Sequence, residues 1–312
     1  MGRYAFGVDV GGTTVKLGLF DQDGRLLDKW EIPTVTDNGG ARILPDVAAA
    51  VTAKIQEKGI DKAEILGIGI GVPGPVDGEG TIYRAVNLGW GVFNIPAEMK
   101  KYLDLPIKAG NDANIAAFGE MWQGGGKGYA DLVVVTLGTG VGGGIIVAGG
   151  ILNGFNGAGG EIGHIHVEDG EEETCGCGNK GCVEQYGSAT GVVRLANRRL
   201  AKDDAPSVLR GGKVSAKTVF DAVKAGDAVA REIAVEFGEY LGKGLAAVAN
   251  VVNPEAFVIG GGVSKAGEVL FDYICPAYQK YAFHAARGAK FVLAKLDNDA
   301  GIYGAAALVL NA

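Results

Sequence analysis

Three cysteines, Cys175, Cys177 and Cys182, stand as C-x-C-x4-C, with His164 and His166 a short distance upstream. Three thiolates and an imidazole on glycine-rich turns make the donor set that a soft tetrahedral metal prefers. Four protein ligands close such a site, so the expected ion is a structural Zn2+ and not a catalyst with an open position. Disulfides compete with this reading, but an odd local trio in a chain whose opening residues show no secretion signal weighs against them. In an extended HIHV segment both histidines face the same side, and chemistry alone leaves open which one binds. Glu161 and Glu184 are interleaved with these ligands, although the metal does not need them. Carboxylates so placed accept hydrogen bonds from a polyol. Residues 159–184 therefore read as a zinc-stapled wall of a polar small-molecule pocket.

Glycine supplies the second chemical signal, with 54 residues clustered between apolar runs. Clustered glycines bring backbone close to a ligand, commonly a phosphate. Asp9, Gly11, Gly12, Thr13 and Thr14 form one such turn, Gly138, Thr139 and Gly140 a second, and Gly260, Gly261 and Gly262 a third. Plain hairpin turns are the bland alternative. Two of the three carry threonine at the bend, which adds hydroxyl donors to a nest of N–H groups. Gly138, Gly140 and Gly143 also satisfy G-x-G-x-x-G, but a β-branched run follows where a dinucleotide site needs a helix. No P-loop motif occurs. Asp112 completes the chemistry, at the point where a strand is expected to end and a helix to begin. Helix capping by Asn111 or Asp112 and general-base catalysis by Asp112 are both open on this spacing. Held at a helix N-terminus, the carboxylate is expected to stay ionised and so to be a weak base.

These residues need elements to hold them. Apolar runs at 4–10, 15–20, 26–32, 64–72 and 106–109 read as strands, with helices at 41–57, 95–103 and 113–122. A glycine run at 124–128 reads as a hinge or linker. The pattern then restarts: a strand at 131–137, a glycine turn at 138–144 and a returning strand at 145–148. This weak internal repeat predicts two related α/β halves. Helices are expected at 189–200, 215–225, 227–252, 267–281 and 300–310, with strands at 256–259 and 291–296. At 312 residues, 47% hydrophobic and 21% charged, the chain is globular, with length enough for two domains. A net charge of −7 argues against a nucleic-acid or anionic-membrane partner. No run approaches membrane-spanning length, and the cysteine usage fits a reducing cytoplasm.

In one order, the chain carries Asp9-Val-Gly-Gly-Thr-Thr, Asn111-Asp112-Ala-Asn, Leu137-Gly-Thr-Gly-Val-Gly-Gly-Gly and Gly160-Glu-Ile-Gly-His164 with the cysteine cluster. Together these resemble the ROK family of repressors and sugar kinases over nearly the whole chain. The wording VNLGW and NDANIAAFGEMW is most similar to the family's bacterial ATP-dependent glucokinases. The resemblance implies two ribonuclease-H-like α/β domains of the actin and hexokinase superfamily, with the active-site cleft between them. The smaller domain would hold residues 1–115 and a returning helix at 299–312, the larger one residues 116–298. Asn87, Asn111, Asp112, Glu161, His164 and Glu184 would bind the sugar, with Asp112 the base at its 6-hydroxyl. His164 would also complete the zinc site. Asp9 through Thr14 and residues 138–140 would hold ATP phosphates, 260–262 the adenosine, and Asp9 would stand near Mg2+. The implied reaction is phosphorylation of glucose by ATP, in a homo-oligomer, dimer or tetramer. Another hexose, such as fructose, mannose or an N-acetylated amino sugar, and a non-catalytic sugar sensor are the alternatives.

Overall fold

A computed structural model describes residues 3–311. Met1, Gly2 and Ala312, which belong to the expected N-terminal domain, lie outside the described residues. Five strands, β1 (Tyr4–Val10), β2 (Thr14–Asp21), β3 (Leu26–Pro33), β4 (Ile65–Val72) and β5 (Ile107–Asn111), form a sheet in the order β3-β2-β1-β4-β5. Helix α1 (Ile43–Lys58) crosses between β3 and β4, and α2 (Asp112–Gln123) follows β5 directly. A second sheet is built from β6 (Leu132–Leu137), β7 (Val141–Val147), β8 (Gly150–Ile151), β9 (Ala256–Gly260) and β10 (Lys290–Leu293). Its order is β8-β7-β6-β9-β10, the first sheet's pattern repeated. In each sheet the first three strands are antiparallel and the last two join in parallel. The repeat read from two glycine turns is thus a repeat of topology.

The period of two along β1 explains how its faces are used. Phe6, Val8 and Val10 point into a core with Val47, Val51 and Ile55 of α1. Gly7 and Asp9 point to the other face, where the last helix, α7 (Ala300–Leu310), lies across the sheet. A side chain at Gly7 would strike the Ile302 carbonyl, and one at Gly69 of β4 the Ala305 carbonyl. Glycine here sets the closeness of helix to sheet. The same logic continues outward. Gly304 of α7 lies against the Ile115 backbone, and Gly119 of α2 against Ala300. Helix α2 in turn packs Ala117 on Leu132, Val134 and Ile146 of the second sheet. Helices α3 (Ala189–Leu200), α4 (Ala216–Lys224) and α5 (Ala228–Val252) cover that sheet's far face, and α6 (Phe271–Tyr281) packs with them. The layers run α1, first sheet, α7, α2, second sheet, outer helices. Helix α2 runs unbroken through residues 115 and 116, and touches both halves.

Three expectations change. The second glycine turn is confined to 138–140, because β7 starts at Val141 and contains Gly142, Gly143 and Gly144. Those glycines admit neighbours: Gly143 backs onto Ile162 and the Gly160 carbonyl, Gly144 onto Ala117 of α2. The helix expected from 267 starts at Phe271, preceded by two short 3-10 turns. The last strand stops at Leu293, because residues 295 and 296 donate their N–H groups to a buried side chain instead of a ladder.

Candidate active site

Parallel strands β1, β4 and β5 end side by side, with Asp9 opposite Gly71 and Val72 opposite Asn111. In the second sheet Gly260 of β9 pairs with Thr136 of β6, so their following loops also share one end. Crevices beyond the carboxyl ends of parallel strands are where open α/β sheets bind ligands. All the candidate residues but Asn87 gather near that end.

Asn111 and Asp112 divide the two tasks left open by spacing. Asn111 is the helix cap: its Oδ1 accepts the Asn114 N–H at 3.1 Å, and its amide donates to the Gly74 carbonyl at 3.0 Å. Asp112 is the first helical residue. Its Oδ1 accepts the Ala113 N–H at 2.8 Å and the Asn111 amide at 3.0 Å. No hydrogen bond reaches its Oδ2 among the described residues. Burial raises the Asp112 carboxyl above its ordinary range, although the helix N–H groups and the Asn111 amide pull it down; the Glu161 charge adds to the rise. The direction is upward, opposite to the pull of the helix N-terminus alone, because burial outweighs the helix N–H groups. Asp9 is affected more strongly. Burial pushes it up to about 6, against the pull of Lys16 opposite it on β2 and with a further push from Asp112. Its carboxylate rests on Gly301, in the first turn of α7, where any side chain would collide with it.

The opposite wall comes from residues 161–184. His164 turns Nδ1 toward Cys175 Sγ, 3.7 Å away, and Nε2 toward the Glu161 carboxylate at 4.0 Å. The ligand atoms of His164, Cys175, Cys177 and Cys182 all lie within 4.8 Å of one another. Cys177 and Cys182 are 3.7 Å apart, far beyond a disulfide bond. A tetrahedron with metal–sulfur bonds of about 2.3 Å has edges of about 3.8 Å, so the cluster fits a structural zinc. His166 points elsewhere, with its ring nitrogens 2.8 Å from the Lys180 carbonyl and 2.8 Å from Asp169. Only His164 reaches the sulfurs.

Glu184 joins this wall to the second glycine turn. Its Oε2 accepts the Val141 N–H at 3.0 Å and packs on Gly140, while Oε1 lies 3.7 Å from Cys175 Sγ. Residues 138–140 are further held by α3, through Ala189 N–H to the Gly138 carbonyl and Thr190 Oγ1 to the Thr139 carbonyl. The first turn is closed by Gly11 N–H to the Thr14 carbonyl, and Thr34 bonds to Gly11 and Thr13. Gly12, Gly138 and Gly262, one from each glycine run, face open space. Gly261 has φ +83 and lies against the Leu137 backbone, so only glycine fits. Asn87 stands apart, exposed on a 3-10 turn at Val86–Leu88 and without a hydrogen bond to the other candidates.

Two features escaped the sequence reading. Beside Gly262 is a recess of about 180 Å³ lined by Lys217, Phe220, Val263 and Lys265. Nothing in the spacing of α4 relates it to a glycine run some forty residues later. Asn114, within the NDAN stretch, is 1% exposed with neither end of its amide hydrogen-bonded. Its Oδ1 lies beside Gly160, next to Glu161.

Two α/β halves of one topology, with glycine turns and carboxylates at their shared strand ends, define the actin- and hexokinase-like class of sugar kinases. The ROK family model matches residues 5–312, and the chain belongs to the ROK family. It is 44% identical to a glucokinase of Halalkalibacterium halodurans, over 98% of this chain and 95% of that one. A glucokinase of Thermotoga maritima is 36% identical, covering 97% and 96%. Among solved structures, a ROK family glucokinase from Streptomyces griseus in complex with glucose and AMPPNP aligns with a TM-score of 0.73 and 33% identity. That alignment covers 99% of this chain and all of the other. No described helix is long and apolar enough to cross a membrane.

Proposed function

We infer that the protein is an ATP-dependent sugar kinase that phosphorylates glucose at its 6-hydroxyl. One observation carries this most directly: Asp112, half-buried just past the end of β5, has an oxygen free of hydrogen bonds among the described residues, and both Asp9 and Glu161 lie close enough to couple to its charge. In the reaction Asp112 Oδ2 accepts the 6-hydroxyl proton as that oxygen attacks the γ-phosphorus. The bond from that phosphorus to the bridging oxygen breaks, and ADP leaves. A loose phosphoryl transition state demands alignment more than strong base catalysis. Asn111 fixes the Asp112 rotamer through their 3.0 Å bond. Glu161, His164 and Glu184 accept from or donate to the ring hydroxyls, and Asn87 approaches on closure.

Gly11–Gly12 with Thr13 and Thr14, and residues 138–140, supply N–H and hydroxyl donors to the phosphates. The 260–262 turn takes the adenosine, with its base in the recess against Phe220. Mg2+ would neutralise phosphate charge, and the raised Asp9 carboxyl, a half-buried acid beside open turns, fits a nearby cation. Zn2+ on His164, Cys175, Cys177 and Cys182 would hold the sugar wall rigid. Residues 1–115 with 299–312 would form one domain and 116–298 the other, closing over the sugar to exclude water, the obvious competing acceptor. A cytoplasmic homo-oligomer, dimer or tetramer, belongs to the same proposal.

Turnover on a panel of glucose, fructose, mannose and N-acetylated amino sugars, with ATP, ADP and polyphosphate as donors, tests this reading. Glucose with ATP should give the highest kcat/KM. Preference for an N-acetylated sugar, or sugar binding without turnover, would overturn it.

A further inference from the structure

The chain passes between its halves along 124–131 and 294–299, and one side chain touches both crossings. Glu120, near the end of α2, is 2% exposed. Its Oε2 accepts N–H bonds from Gly125 at 2.7 Å and Lys295 at 3.0 Å, and its Oε1 from Leu296 at 2.8 Å. No lysine or arginine side chain pairs with it among the described residues. Its charge is met by backbone dipoles alone, so it must sit where those N–H groups converge. The glycine run around it is correspondingly tight. A side chain at Gly124 would strike the Glu120 carboxylate, one at Gly125 the Leu293 carbonyl, and one at Gly126 the Leu132 side chain. The run expected to be a hinge or linker is wrapped around a buried carboxylate.

We propose that Glu120 is the clamp about which the two halves close, a positioning residue for phosphoryl transfer. The proposal rests on the sugar-kinase reading above. Glu120 shares α2 with Asp112, eight residues and about 12 Å along the helix. Beyond Leu296, Asn298 accepts from Lys16 at 3.0 Å and Asp299 pairs with Lys29 at 2.8 Å. Helix α7 then begins, with Gly301 under the Asp9 carboxylate. Asp112 and Asp9 are thus tied to the clamp by short stretches of chain, through α2 and through the start of α7. Loosening either crossing shifts Asp9 and Asp112 relative to the second half, where Glu184 and the 138–140 turn sit.

The test is Glu120→Gln, which keeps size but turns an amide NH2 toward backbone donors, with Glu120→Asp as the charge-keeping companion. In full-length enzyme, E120Q should lower kcat for glucose phosphorylation about tenfold, with a smaller change in KM. It should also raise ATP hydrolysed per sugar phosphorylated, because imperfect closure admits water. E120D should recover part of both effects. A loss of folded protein lowers transfer and hydrolysis together, so their ratio isolates positioning from stability. Wild-type kcat and ratio in E120Q, with only a lower Tm, would reduce Glu120 to a structural staple and overturn the proposal. If E120Q does not fold, a wild-type ratio in E120D overturns it equally. Failure of the wild-type protein to phosphorylate any sugar is a different result, and refutes the kinase reading instead.

Discussion

The two halves share a strand order and a glycine turn, yet the two turns are supported in opposite ways. The first turn adjoins a half-buried acid: Asp9 lies against α7 at Gly301, and loss of solvent around it pushes its carboxyl up to about 6. The second rests on a loop: Glu184 and α3 hold residues 138–140, and Glu184 also touches the Cys175 thiol. One topology has been furnished once with charge and once with a metal-type staple. The difference teaches that in this fold the backbone supplies the glycine turns, while local additions decide what faces them. On the proposed reading, the half with the half-buried acids would supply reactivity, and the half with the cysteine cluster would supply shape.

If that division of labour holds, substitutions in the first half should act on kcat and those in the second on KM for sugar. The largest effect is expected for Asp112→Asn, which should cut kcat by about 10²–10⁴-fold in steady-state assays while glucose affinity stays near wild type. Cys177→Ser should come next. It should strip zinc, measured by metal analysis of purified protein, and raise KM for glucose more than it lowers kcat. A zinc-free wild-type protein with full sugar affinity would break the comparison at this point.

Glycines sharpen it further. Gly69→Ala places a methyl group on the Ala305 carbonyl and should cost about 1–3 kcal/mol in denaturant melts. Gly138→Ala faces open space, so its stability should stay within about 0.5 kcal/mol while KM for ATP rises. The smallest effect concerns pH. Asp9 takes up a proton as pH falls through about 6, well above its ordinary 3.8. A proton there competes with a cation, so affinity for MgATP should decline below that pH. Because the folded value is the raised one, the ligand-free protein gains stability from Asp9 as pH drops from about 6 toward 3.8, and loses it as pH rises again. Asp9→Asn should flatten both dependences, read by calorimetric titration and by thermal melts.

Much of this architecture was legible in sequence because strand β1, its turn and β2 are bounded by unambiguous signals: an apolar run, two adjacent glycines, a second apolar run. The repeat at residue 131 was legible for the same reason. Glycines themselves were harder to interpret. Gly143 and Gly144 look like turn residues but admit Ile162, Gly160 and Ala117 to the face of a strand. Such contacts join residues far apart in the chain, and no local pattern encodes them. The Phe220 recess, the Glu184 bond to Val141 and the Glu120 clamp share that origin. Asp112 shows the limit most clearly. Its position at a strand end could be read directly, whereas the direction in which its acidity moves depends on how deeply the rest of the molecule buries it.

Co-crystals with glucose and a non-hydrolysable ATP analogue bear most directly on the central claim. The sugar's 6-hydroxyl should lie within about 2.6–3.2 Å of Asp112 Oδ2, in line with the γ-phosphate above the 138–140 turn. A hexose seated away from Asp112, or a nucleotide that avoids both glycine turns, would contradict it.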